Sequence, residues 1–353
     1  MHGGDRYRNC VTVDLSVNLN PLGVPECLKE GMTRGISEAG FYPDPFQQGA
    51  REAAAGLYGR YTDIDPEWII PGNGASELIT AVFHGLRPRS ILIPAPCFTG
   101  YLRAEKYGCR IELFPLREEN CFIPEGGIGL AVKPDTDLII LTNPVNPSGV
   151  MYDTSLLKDL LILAGERRIP VLLDECFISF TGRDSESGLH LLKEYPQLMV
   201  LRAFTKIFSL PGLRLGLLFT TDAALREKLR AALPEWNLSA FSEQALITAE
   251  EHREEIYSFI EKTAAATAGL RESFAKRLQA AGIRVYPSAA NFILTGGMKK
   301  SREYLLKNGI LTRSCGDMPP LTDDYIRLAV RPEAEQKLLL ELLAMSRDRI
   351  SGV

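Results

Sequence analysis

Between residues 70 and 220, short apolar runs alternate with longer amphipathic stretches, and this alternation constrains the fold more than any other feature of the chain. Runs at 90–93, 111–114, 138–141, 171–173, 199–201 and 215–219 are short, apolar and bounded by turn residues, so they read as buried strands. Helical periodicity fills several of the gaps, at 75–85, 99–107, 154–167 and 188–195. A strand apolar on both faces must be covered on both faces, and parallel neighbours need a crossover between them. The expected fold is therefore α/β, a mostly parallel sheet with helices on both faces. A long amphipathic helical region follows at 239–281. Beyond it come strand-like runs at 284–286, 291–294, 310–313 and 325–330, a helix from 301 and a terminal helix from 332, which together suggest a smaller α+β domain. The first forty residues show no strong periodicity and hold the turn-rich Asn18-Leu19-Asn20-Pro21-Leu22-Gly23. A chain of 353 residues can hold two domains. The expected division is an N-terminal arm with part of the smaller domain at 1–40, the large domain at 41–250 and the C-terminal small domain at 251–353.

Several function classes are disfavoured. Lys and Arg number 40 against 44 Asp and Glu, and a net charge of −4 leaves no electrostatic footprint for nucleic acid or an anionic membrane surface. The opening residues are polar, with no charged-then-apolar leader, and no apolar run reaches the ~18 residues of a membrane span. The seven cysteines are odd in number and lack CxxC spacing, which points to reduced thiols in a cytoplasmic protein. The four histidines, His2, His84, His190 and His252, do not pair at metal-ligand spacing, so no metal site is expected.

In a parallel sheet, ligand groups collect at the C-terminal ends of the strands. Polar residues stand there in several segments. Pro71-Gly72-Asn73-Gly74-Ala75-Ser76-Glu77 places glycines and a small hydroxyl at a helix start, which makes either a backbone anion nest or a plain cap. Thr142-Asn143-Pro144-Val145-Asn146-Pro147-Ser148-Gly149 is a proline-stiffened loop that presents the Asn146 amide. Asp174 closes an apolar strand, where a carboxylate needs a cation or several hydrogen bonds. It could cap a helix, join a buried ion pair, or face a protonated ring nitrogen. Phe98 follows another strand and could stack on a flat ring or fill the core. Most informative is the segment from Arg202 through Lys206 to Arg214 and Gly216. Partial desolvation keeps a lysine neutral often enough to attack an aldehyde, and a fixed cation can hold that aldehyde's anionic group. The apolar strand before Lys206, with Gly212 and Gly216 after it, argues against a solvated Lys–Arg pair.

With these motifs in this order, the chain resembles the fold type I pyridoxal-phosphate enzymes of the aminotransferase class I and II group, from His2 to about Leu343. The resemblance implies an aspartate-aminotransferase-like architecture with a seven-stranded central sheet, and pyridoxal 5′-phosphate as cofactor on the large domain. Lys206 and Asp174 would be the catalytic pair. Lys206 would carry the cofactor as a Schiff base, Asp174 would hold the pyridine nitrogen, and Asn146 the ring hydroxyl. Gly74, Ala75, Ser76 and Arg214, with Thr205, would hold the phosphate. Phe98 would stack on the ring, with Phe177 beside it. Tyr42 matches the tyrosine that reaches a partner subunit's phosphate, which implies a homodimer with shared active sites. Arg327 matches the arginine that grips a substrate α-carboxylate.

Within the family, the chain is similar to the threonine-phosphate decarboxylases in its His2-Gly3-Gly4 opening followed by residues 14–23. It shares Phe at 177, where histidinol-phosphate aminotransferases usually carry a tyrosine, and it has three arginines, Arg313, Arg327 and Arg331. It departs from the common family pattern at Ala203, Val145 and Ser148. The resemblance implies decarboxylation of an O-phospho-amino acid, with His2, Asn18, Arg313, Arg327 and Arg331 on the substrate. Serine phosphate as substrate, or transamination of histidinol phosphate, are the alternatives. In an extended strand Arg327 and Arg331 would share a face with their roots ~13 Å apart, able to close on a small dianion. Surface ion pairs with Asp317, Asp323 or Asp324 are the competing reading for Arg313 and Arg331. A cofactor-binding regulator would carry a DNA-binding appendage, and the chain shows no basic helical arm.

Overall fold

The computed structural model describes residues 3–60 and 62–350, with side chains described as far as residue 345. Its centre is a seven-stranded sheet. The strands are β2 (Ile69–Gly72), β3 (Ser90–Ala95), β4 (Arg110–Pro115), β5 (Leu138–Thr142), β6 (Val171–Asp174), β7 (Leu198–Ala203) and β8 (Gly216–Phe219), in the order β2-β8-β7-β6-β5-β3-β4. Neighbours run parallel except β8, which is antiparallel to both β2 and β7. Strands β3, β5, β6 and β7 are buried along their whole length. Side-chain alternation divides them between two layers. Ile139, Leu141, Leu173 and Val200 pack with Leu57 of α2 (Gln48–Tyr58) and Leu160 of α4 (Thr154–Glu166). Leu138, Ile140, Leu172 and Met199 pack with Val82 of α3 (Ala75–Leu86) and Leu229 of α6 (Ala223–Ala231). Helices therefore cover both faces, as the uniformly apolar strands require.

A second, four-stranded antiparallel sheet has the order β12-β13-β10-β9, from β9 (Arg284–Val285), β10 (Phe292–Gly296), β12 (Arg313–Ser314) and β13 (Ile326–Ala329). Beside it β1 (Val13–Asp14) pairs parallel with β11 (Ile310–Leu311), so the N-terminal segment is tied to the C-terminal third of the chain. Leu15 locks the seam, donating its N–H to Leu311 and accepting from Ala329, each at 2.8 Å. A separate apolar cluster joins these strands to Phe274 and Leu278 of α8 (Arg253–Ala280), Leu305 of α9 (Lys299–Lys307) and Leu339 of α10 (Glu333–Ile350).

The structure differs from the sequence expectation in four places. The first forty residues contain a helix, α1 (Glu26–Glu38), whose periodicity is hidden by two internal glycines. Those glycines serve close packing on α7 (Ala240–Glu251): a Cβ at Gly31 would lie 2.7 Å from the Thr248 hydroxyl, and one at Gly35 would lie 2.7 Å from the Phe241 Cα. Strand β2 is the second unforeseen element, a four-residue edge strand holding both Pro71 and Gly72. The expected helices at 99–107 and 188–195 are 3₁₀ segments, Tyr101–Tyr107 and Gly188–Leu191. Finally, the helical region at 239–281 is two helices, α7 and α8, broken at His252. Among the described residues no helix is long and apolar enough to cross a membrane.

Candidate active site

The C-terminal ends of β5, β6 and β7 open into a cavity of about 230 Å³, closed on the other side by the small sheet and the N-terminal segment. Lys206 lies on its wall, on the short helix α5 (Phe204–Ile207) that directly follows β7. Burial lowers its amine from 10.5 to about 8, with Arg327 and then Arg214 adding repulsion. The backbone around it is pinned from the N-terminal segment. Asn20 donates its N–H to the Lys206 carbonyl at 3.2 Å and its side-chain amide to the Ile207 carbonyl at 2.6 Å. The loop that carries Lys206 on to Arg214 includes two non-glycine residues at positive φ, Ser209 at 51° and Arg214 at 60°. Such conformations are costly and mark sites where geometry outranks comfort.

Asp174 terminates β6, and register sets it directly beside Thr142 at the end of β5. Its carboxylate accepts the Tyr101 hydroxyl at 2.6 Å and the Cys176 N–H at 3.0 Å. Ala75 and Ser76 line the cavity at the start of α3, where backbone N–H groups lack helical partners. Arg214 closes on the same turn. Gly74, with φ 83°, admits it, because a Cβ there would sit 2.5 Å from the guanidinium. Phe98 and Phe177 supply the apolar walls.

The small sheet contributes two guanidiniums. Arg327 is buried and donates to the Asn146 side-chain oxygen at 2.6 Å and to the Ser16 carbonyl at 3.0 Å, with no carboxylate against it among the described residues. Burial pulls it down to about 10, and the neighbouring Arg313 adds to the effect. Arg313 is equally buried, donates to both oxygens of Asp317 at 2.8 and 3.0 Å, and also donates to the Ser314 carbonyl. Asn18 is buried on the cavity wall with both side-chain polar atoms unpartnered, as is Arg327 Nε. Orphaned polar groups of this kind call for a ligand that hydrogen-bonds and carries negative charge.

The cavity thus gathers Asn18, Ala75, Ser76, Phe98, Asn146, Asp174, Phe177, Thr205, Lys206, Arg214, Arg313 and Arg327. Arg331 does not line this cavity. Strand β13 stops at Ala329, so the two-residue alternation does not reach Arg331, which forms a two-pronged ion pair with Glu335 at 3.0 and 3.1 Å. Tyr42 also lies away from the cavity of its own chain; it is 81% exposed and tilts against Trp236 at 4.9 Å. His2 lies outside the described residues. Sequence reasoning missed Gly3, Ser16, Thr142, Cys176 and Met318 on the wall, and Tyr101 behind it. Thr142 alone had a readable signal, a hydroxyl ending a strand next to the one that ends in Asp174.

The residues fit a flat, anionic aldehyde cofactor. The site offers a depressed amine to bond the aldehyde, a buried carboxylate for a basic ring nitrogen, aromatic walls, and a helix start with a glycine cradle and an arginine for a phosphate.

Comparison with known proteins agrees with this chemistry. The family model described as aminotransferase class I and II matches residues 11–344. A threonine-phosphate decarboxylase of Salmonella typhimurium is 32% identical over 100% of this chain and 97% of its own. A histidinol-phosphate aminotransferase of Thermococcus gammatolerans is 30% identical over 93% of this chain and 90% of its own. The crystal structure of the histidinol-phosphate aminotransferase from Clostridium acetobutylicum superposes with a TM-score of 0.86 at 30% identity, covering 95% of this chain and 99% of that one.

Proposed function

The chain belongs to the aminotransferase class I and II family, whose members work with pyridoxal 5′-phosphate, and from that premise we propose that it is an O-phospho-amino-acid decarboxylase. Its foremost substrate is L-threonine O-3-phosphate and its product (R)-1-aminopropan-2-ol O-phosphate, a building block for cobalamin biosynthesis. The observation that carries this reading is the pair of buried guanidiniums, Arg313 and Arg327, beside Lys206. Among the described residues Asp317 is the only carboxylate paired with either. A substrate bearing both a carboxylate and a phosphate supplies the missing negative charge. The full-length similarity to the Salmonella decarboxylase supports the same choice.

The cofactor would be held by Asp174 at its ring nitrogen and Asn146 at its ring hydroxyl. Gly74, Ala75, Ser76, Thr205 and Arg214 would take its phosphate, Phe98 and Phe177 its faces, and Lys206 its aldehyde carbon. When bound, it supplies an electron sink for the bond broken at the substrate Cα. Everything else falls to the chain. Arg327 and Arg313 bind the two anionic groups and orient the substrate, Asn18 hydrogen-bonds it, and burial excludes water. The substrate carboxylate leaves as CO2, and its bonding pair stays at Cα. Lys206 Nζ, poised near neutrality, delivers the proton that replaces it.

Tyr42 belongs in this proposal through a second copy of the chain. It is exposed beside Phe41 and Phe46, and it would complete the partner's phosphate site in a cytoplasmic homodimer.

Transamination of histidinol phosphate is the second reading, favoured by the similarity to the Clostridium and Thermococcus proteins. Serine phosphate differs from threonine phosphate by a methyl, which a pocket discriminates by only ~1–3 kcal/mol. The deciding assay gives the protein pyridoxal phosphate with threonine phosphate, serine phosphate or histidinol phosphate, each with and without 2-oxoglutarate. CO2 and an amine phosphate from threonine phosphate, formed without any keto acid, are expected. Turnover of histidinol phosphate that requires 2-oxoglutarate would overturn the assignment.

A further inference from the structure

We propose that Tyr101 is a positioning residue that fixes the Asp174 carboxylate for the cofactor, and that Thr142 in turn fixes Tyr101; this rests on the cofactor reading above. Tyr101 does not line the cavity. It is completely buried behind it, and its hydroxyl donates to Asp174 Oδ2 at 2.6 Å. The Thr142 hydroxyl donates to the same phenol oxygen at 3.1 Å.

The direction of this chain follows from donor counting. An ionised carboxylate only accepts, so the single phenolic proton goes to Asp174 and the phenol oxygen is left to accept from Thr142. Burial, and then the charge of Asp174, push the Tyr101 phenol well above its ordinary value, so it keeps that proton. The Cys176 N–H takes the other carboxylate oxygen at 3.0 Å. Asp174 is therefore held through both oxygens by groups on different elements.

Topology makes the arrangement rigid. Thr142 and Asp174 are register partners on adjacent parallel strands. Tyr101 opens the 3₁₀ segment after β3, and its N–H bonds the Phe98 carbonyl at 3.1 Å, closing a turn that sends Phe98 into the cavity. The two rings meet edge to face, with centroids 5.4 Å apart and planes at 87°. One turn thus supplies an aromatic wall and the anchor of the carboxylate. A carboxylate set in place before binding loses little freedom when the ring nitrogen arrives.

Tyr101→Phe keeps the ring and its contact with Phe98 and removes only the hydroxyl. The test measures dissociation constants of pyridoxal phosphate, and of its 1-deaza analogue in which carbon replaces the ring nitrogen, by fluorescence titration of cofactor-free protein. We expect Y101F to weaken pyridoxal phosphate about tenfold, the scale of a hydrogen bond to a charged group, and to leave the deaza analogue within about twofold, because only the nitrogen meets Asp174. Thr142→Val should act in the same direction, about threefold, and it carries the test if Y101F does not fold. Equal weakening of both ligands would reduce Tyr101 to a packing residue, and no weakening of either would remove it from the site; each outcome overturns the proposal. Failure of the wild-type protein to bind pyridoxal phosphate would instead overturn the cofactor reading.

Discussion

At the scale of single residues the site is governed by desolvation. Lys206 is worth singling out because the same burial that lowers it to about 8 makes its amine reactive near neutral pH. The protonated amine is inert, so capture of pyridoxal phosphate by cofactor-free protein should accelerate as pH rises through about 8 and level off above it. Stopped-flow absorbance across that range checks this, and a midpoint near the ordinary lysine value would refute it. Borohydride should leave a pyridoxyl group on Lys206, and none in Lys206→Ala. The arginines separate by surroundings. Arg313→Ala removes a buried cation facing the cavity and should lower kcat/KM for threonine phosphate by on the order of 100-fold. Arg331→Ala breaks an ion pair outside the cavity and should change it less than about threefold. Steady-state kinetics on the two variants would contradict this placement if their effects were alike.

At the scale of elements, the least obvious device is the glycine face of α1. Gly31 and Gly35 are four residues apart, so they share one face, and that face meets α7 without room for a methyl group. Helix propensity is given up so that two backbones can approach. Gly35→Ala should lower unfolding stability by about 1–3 kcal/mol, the cost of overpacking, because the added carbon would meet the rigid Phe241 backbone. Denaturant unfolding measures it, and a stabilised variant would show that the contact can relax. The short elements, in contrast, are set by their neighbours: in the 3₁₀ turn at Tyr101 the phenol reaches Asp174 while its ring meets Phe98 edge to face.

At the scale of the whole molecule, the cavity is a seam. The large sheet supplies Asp174 and the helices that follow its strands supply Lys206 and Ala75, the small sheet supplies Arg313 and Arg327, and the N-terminal segment supplies Asn18. Arg327 ties all three together through Asn146 and Ser16. Glu118 makes a second tie, accepting from Arg284 at 2.6 Å, from Tyr325 at 2.6 Å and from Tyr286. If Tyr42 completes the partner's site, mixing Lys206→Ala chains with Tyr42→Ala chains creates dimers with one intact site. The mixture should then regain up to about a quarter of wild-type activity by random pairing of the symmetric dimer. No regain after subunit exchange would confine each site to one chain.

The strand–helix alternation and the order of motifs were legible without coordinates, because burial on both faces writes itself into short apolar runs and because ligand groups follow strand ends. Lys206, Asp174, Asn146 and Arg214 also stood out, each a polar residue in an otherwise apolar or tightly turned stretch, and the fold brings all four to one cavity. Only the tertiary structure could place Arg331 away from the cavity in an ion pair with Glu335, since the extent of β13 also depends on its pairing with β10 and β12. Only it could bring Tyr101, Thr142 and Asp174 into one chain of hydrogen bonds: they lie on three separate segments, and sequence periodicity describes which way a side chain faces within its own element, never what meets it from another.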